Sequence, residues 1–163
     1  MVRKKPKDTE FFKYHNANPE DKRASDCVIR SLCVAMDKSW LEVFDALNVV
    51  ARRLYDVANA KAVYAAYLAE EGWVKKARPK KRVTATKFTL YTVSEFLMEM
   101  WYKDLNIPMV VHVGSGHLVC IKDRKVLDIW NSSKQKLGSV WVSQAYSDTY
   151  DSFIAYLDAK NSV

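Results

Sequence analysis

Asp26-Cys27-Val28-Ile29-Arg30, early in the chain, is answered about ninety residues later by Gly116-His117-Leu118-Val119 and then by Val126-Leu127-Asp128-Ile129-Trp130. A thiol, an imidazole and a carboxylate together make an acyl-transfer site. The thiol attacks a carbonyl carbon, the imidazole takes and later returns the proton, and the acid orients the imidazole. Histidine is scarce here (only His15, His112 and His117), which gives the combination weight. The apolar residues Val28, Ile29, Leu32, Cys33, Ala35 and Met36 recur at helical spacing, so a helix is predicted from Cys27 to about Met36, with Asp26 at its N-cap. A thiol on the first turn of a helix meets unpaired N–H groups and the positive end of the dipole, which favour thiolate. The same N–H groups can hold the oxyanion produced by attack on a carbonyl. Cys33 and Cys120 lie among apolar neighbours with no partner in view and read as core residues.

The histidine and the acid fall on one predicted hairpin. A symmetric turn at Asp123-Arg124 sets Val119 opposite Asp128 and His117 opposite Trp130. His117, Val119, Asp128 and Trp130 then share a face, and Asp128 is the diagonal neighbour of His117, at ~7–8 Å between Cβ atoms. Asn131, the other candidate orienting residue, falls on the opposite face, and a one-residue slip would exchange the two. Asp128 is therefore taken as the third member and Asn131 as the reserve. His112 sits in an apolar strand without an acid and reads as structural; His15 flanks the approach segment and reads as a surface residue. Trp130 either shields the His–Asp contact from water or belongs to the core.

These groups need elements to position them. Ser39 with Glu42, and Thr92 with Glu95, are capping boxes that start two further helices. Asp56 is read as the cap of another helix, carrying Val63, Tyr64, Tyr67 and Leu68 and stopping near Gly72. Residues 73–89 contain a basic run and a proline and are expected to form an exposed loop or hairpin. Segments 109–113, 117–121, 125–130 and 140–142 are rich in Val and Ile and separated by turn residues, as antiparallel strands are. The tail around 153–157 fits either a strand or a helix. Helices first and a small antiparallel sheet second define an α+β fold. The expected organisation is a flexible basic arm over 1–9 and a single domain over 10–163.

A chain of 163 residues that is 49% hydrophobic can bury one core, and its composition excludes a mainly disordered protein. Three cysteines without paired spacing make neither a disulfide framework nor a zinc site, and no cofactor is called for. No apolar run approaches the ~20 residues of a membrane span and none follows the basic N-terminus, so a soluble cytoplasmic protein is expected. The net charge of +7 is concentrated in Arg3, Lys4, Lys5 and Lys7 and in Lys75, Lys76, Arg78, Lys80, Lys81 and Arg82. Those ten outnumber the net charge, so the rest of the chain is mildly acidic. The 75–82 cluster is the candidate contact for a polyanion such as nucleic acid, a minor expectation beside a solvated loop.

The stretches Tyr14-His15-Asn16-Ala17-Asn18-Pro19, Asp26-Cys27-Val28-Ile29-Arg30-Ser31-Leu32 and Lys38-Ser39-Trp40-Leu41-Glu42-Val43-Phe44 resemble small papain-like cysteine peptidases common in bacteriophages and in gut and Gram-positive bacteria. Gly116-His117-Leu118-Val119, 126–132 and Gly138-Ser139-Val140-Trp141 extend the resemblance to most of the chain. It implies Cys27 as nucleophile, His117 as general base and later acid, and Asp128 as the residue orienting the imidazole, acting on a peptide or protein substrate through a thioester acyl-enzyme. Papain-like enzymes usually place a glutamine a few residues before the cysteine to complete the oxyanion hole. Residues 19–26 contain none, and Asn18 is the substitute this sequence offers. Two other readings share the scaffold: acyl transfer in place of hydrolysis, and a catalytically weak or inactive papain-like scaffold that binds protein or nucleic acid.

Overall fold

Valine-rich segments with little polar alternation are strands buried on both faces, and the computed structural model, which describes residues 4–162, arranges them in that way. The elements run β1 (Phe12–Tyr14), α1 (Cys27–Met36), α2 (Trp40–Leu54), α3 (Lys61–Glu70), β2 (Trp73–Lys76), β3 (Lys80–Arg82), β4 (Phe88–Leu90), α4 (Val93–Tyr102), β5 (Met109–Val113), β6 (His117–Lys122), β7 (Lys125–Asp128), β8 (Leu137–Ser143) and α5 (Ser147–Lys160). The main sheet has the order β1-β7-β6-β5-β8-β2. One face, through Val110, Leu118 and Trp141, packs on Leu32, Leu47 and Leu68 of the first three helices. The other face, through Met109, Val111, Val119, Ile121, Val140 and Val142, packs on Phe96 and Met100 of α4 and on Tyr150, Phe153 and Leu157 of α5. Alternate residues of each strand thus serve different cores.

The α+β class and the helix at Cys27–Met36 are as the sequence predicts, and both capping boxes form. The β6–β7 hairpin keeps the expected register, pairing Cys120 with Leu127 and Ile121 with Val126. Asp123 and Arg124 both have positive φ, 52° and 58°, the two-residue turn whose twist matches paired strands.

Four expectations are corrected. The sheet is larger and mixed: β1 adds parallel to β7, pairing Tyr14 with Asp128, and β2 adds antiparallel to β8. Asp56 does not cap α3, whose N-cap is Ala60; its carboxylate accepts the N–H of Val57 inside the preceding turn. Strand β7 stops at Asp128, so Trp130 lies in a bend beyond the ladder. Asp26 occupies the N-cap position of α1, yet its side chain caps nothing. The undecided tail is helical, and among the described residues no helix is long and apolar enough to cross a membrane.

Of the expected arm, residues 1–3, Arg3 included, lie outside the described residues. Lys5 pairs with Asp21 at 2.9 Å, and Asp8 accepts the N–H of Tyr14 at 2.7 Å.

Candidate active site

Cys27 is the first residue of α1, the helix that lies against β6, and its side chain is partly exposed. The first intrahelical bond runs from Arg30 N–H to the Asp26 carbonyl, at 2.9 Å. With no side-chain cap, the N–H groups of Cys27, Val28 and Ile29 remain without intrahelical acceptors. The thiol lies near enough to the His117 ring and the Leu118 backbone for both to lower its pKa. His117 opens β6, and its Nε2 is 2.5 Å from Asp128 Oδ2. With Nε2 engaged there, Nδ1 is the ring nitrogen left for the thiol. The Trp130 ring lies 5.0 Å from the imidazole, centroid to centroid, and covers it despite having left the strand.

The three cysteines separate electrostatically. Burial alone would push the Cys27 thiol up, but hydrogen bonds from His117 and the Leu118 backbone, with the charges of His117 and Arg30 nearby, bring it below its ordinary value. Burial pushes Cys33 up to about 11 and Cys120 up to about 12. Burial also works against a charged His117, yet hydrogen bonds to Asp128 and Cys27 and their negative charges raise it to about 9. A thiolate–imidazolium pair is the state these surroundings favour.

Sequence reasoning missed Arg30. Its side chain is only 5% exposed and bridges two carboxylates: Nη1 donates to Asp26 Oδ1 and Nη2 to Asp128 Oδ1, the latter at 3.3 Å. Asp128 therefore holds His117 with one oxygen and Arg30 with the other. The other oxygen of Asp26 accepts from Asn18 Nδ2 and from Trp40 Nε1, each at 3.0 Å. The signal was present, since an arginine three residues past Cys27 lies in a helix whose other residues, Ser31 apart, are apolar. Its neighbours in space were not legible.

The remaining candidates fall elsewhere. The Asn18 amide, offered as an oxyanion donor, is directed to Asp26, and its oxygen accepts the N–H of Glu20. Asn131 accepts the N–H of Ser133 in a turn, and the acid at His117 is Asp128. His15 is exposed; its backbone N–H donates to the Asp128 carbonyl at 2.9 Å. His112, read as structural, lines with Cys27, Val28, Asn59, Lys61, Tyr64, Gly116 and Leu118 a cleft of about 240 Å³. Burial first, then the charges of Lys61 and His117, lower its pKa, so it is neutral there.

In the basic run, Lys76 pairs with Asp151 at 2.7 Å and Lys81 with Glu95 at 3.0 Å. Arg82 donates to the carbonyls of Thr84, Ala85 and Ser162, and the Lys75 ammonium sits 5.9 Å from the Trp141 ring centroid. Arg78 and Lys80 line a separate concavity of about 450 Å³. None of the six lines the Cys27 cleft.

Fold and site together define an α+β domain in which a helix-terminal thiol meets an imidazole–carboxylate pair on a hairpin. No protein-family model, curated protein or solved structure matches the chain.

The pair has a consequence for stability. Folding raises His117 from 6.5 to about 9, so its contribution is fully present below about 6.5 and lost as pH rises through 9. Folding lowers Cys27, whose contribution is present above its unfolded value and lost as pH falls through the folded one. Above the pH at which the folded thiol ionises and below about 9, the folded imidazole keeps a proton and the folded thiol gives one up, so there the two slopes oppose each other. Wild-type melting temperature is expected to fall less toward pH 9 than the histidine alone would make it. In Cys27→Ser only the histidine slope remains, and the melting temperature is expected to fall more steeply. Parallel profiles for the two proteins would mean that no such pair forms.

Proposed function

We propose that the protein is a papain-like cysteine hydrolase that cleaves a peptide, isopeptide or amide bond through a thioester acyl-enzyme. One observation carries this reading: a partly exposed thiol on the first turn of a helix, its pKa lowered by a neighbouring imidazole that is itself 2.5 Å from a buried carboxylate. The order of events follows from these positions. Cys27 thiolate attacks the carbonyl carbon, and the electron pair displaced onto oxygen is met by the free N–H groups of α1. His117 imidazolium gives its proton to the leaving nitrogen as the C–N bond breaks, which leaves the thioester. The neutral imidazole then takes a proton from water, hydroxide adds to the thioester, and collapse releases the acid and restores the thiolate. Asp128 holds the ring in the orientation both proton transfers need, and Arg30 holds Asp128.

Activity is expected to rise with thiolate formation and to decline as His117 loses its proton near 9. The direct test is acylation by p-nitrophenyl acetate. A burst of p-nitrophenolate, with the acetyl group mapped to Cys27 by peptide mass spectrometry, is expected for wild type and not for Cys27→Ser. Wild-type protein without a burst, or with the acetyl group on Cys33 or on lysines, would sink the hydrolase reading.

A further inference from the structure

Tyr64 does more than core packing asks of it. The residue, on α3, is 4% exposed, and its ring packs edge-on against Trp141 at 5.8 Å. Phenylalanine would fill that place equally well. The hydroxyl, however, makes no hydrogen bond to any described residue, and Tyr64 lines the cleft shared with Cys27 and Val28. The hydroxyl is not among the buried polar atoms left without a partner, so it reaches solvent water, and because Tyr64 lines the cleft beside Cys27 a substrate atom can take the place of that water. Burial and the nearby Cys27 thiolate both raise the phenol above its ordinary value, so it remains a donor wherever the thiolate exists.

We propose that Tyr64 is a catalytic residue whose hydroxyl donates a hydrogen bond to the oxyanion formed when Cys27 attacks the substrate carbonyl. This rests on the hydrolase reading above and supplies the donor that residues 19–26 lack. As the S–C bond forms, the carbonyl π pair moves onto oxygen, where the Tyr64 O–H and the first-turn N–H groups of α1 meet it. When the intermediate collapses the pair returns, the C–N bond breaks, and the departing nitrogen takes its proton from His117. Tyr64 keeps its own proton throughout. A donor fixed by a packed ring needs no reorganisation at the moment of reaction, which gives such groups their effect. Asn59 also lines the cleft but is exposed, and nothing in the structure fixes its amide.

Two reagents separate this role from a structural one. Acylation by p-nitrophenyl acetate passes through a tetrahedral oxyanion; alkylation by iodoacetamide is a direct displacement at a saturated carbon and does not. Tyr64→Phe in the full chain is expected to slow Cys27 acylation by up to roughly 10²-fold, against a donor loss that typically costs ~10²–10³. Its alkylation rate and melting temperature should stay at wild-type values, and Asn59→Ala should alter neither rate. Equal effects of Tyr64→Phe on both reagents, or none on either, would overturn the assignment and leave the hydrolase reading standing. If wild-type Cys27 is alkylated but never acylated, the hydrolase reading fails and the Tyr64 role fails with it.

Discussion

Alkylation of Cys27 by iodoacetamide at pH 6 is expected to slow by up to roughly 10²-fold when His117 is replaced by alanine, because an ordinary thiol of pKa ~8.5 is only about 0.3% thiolate there. In the wild type, His117 retains its proton to about 9 and the thiol is lowered by that neighbour, so the thiolate forms at lower pH than in an ordinary cysteine. Removing the imidazole deletes both the hydrogen bond and the charge, while burial of Cys27 continues to oppose ionisation. The rate–pH profile of His117→Ala should therefore move toward, or past, that of a free thiol. Asp128→Asn should produce an intermediate profile, since the ring keeps its contact with the thiol but loses the carboxylate that raises its basicity. The experiment is best run in Cys33→Ser/Cys120→Ser, although both of those thiols are already pushed up by burial. A His117→Ala profile that overlays wild type would mean that Cys27 and His117 are neighbours without being partners.

The second large effect is on the fold. Arg30→Met is expected to destabilise the protein by about 3–5 kcal/mol, because it leaves Asp26 a buried charge without its counterion and leaves Asp128 with His117 alone. At roughly 2–4 °C per kcal/mol for a domain of this size, the melting temperature should drop by roughly 10 °C. Adding Asp26→Asn removes the stranded charge and should recover part of the loss, whereas adding an exposed change such as Glu20→Gln should not. Unfolding in urea, followed by tryptophan fluorescence, measures all three. A loss below about 1 kcal/mol for Arg30→Met would place it among ordinary surface ion pairs and would contradict the burial seen here. Methionine is the useful replacement because it keeps much of the side-chain volume while removing the charge, so a cavity does not dominate the result.

The parts of the structure legible in the sequence are those set by short-range rules. Helical spacing after Cys27 and the reciprocal Ser39–Glu42 and Thr92–Glu95 pairs are local signals, and the structure follows each of them. The His117–Asp128 contact was reachable because a two-residue turn leaves one register, and register determines diagonal neighbours. The unread parts depend on contacts across the chain. Phe12–Tyr14 is too short to show a period and is a strand only because β7 gives it a partner. Asp26 looked like a helix cap because aspartate before a helix usually is one, but a buried arginine one turn on competes for the carboxylate and wins. Arg30 and Tyr64 each looked ordinary in sequence, and only their surroundings make them part of the site.

The parallel pairing of β1 with β7 and the seating of α1 against β6 carry a consequence for the order in which the protein acquires its chemistry. Cys27 and the first strand leave the ribosome early, while the strands that receive them are made about a hundred residues later. Until the His117–Asp128 hairpin has emerged and docked, the Cys27 thiol lacks the His117 and Leu118 groups that lower it in the finished fold. The groups around Cys27 are therefore assembled only when the last strands have joined the sheet.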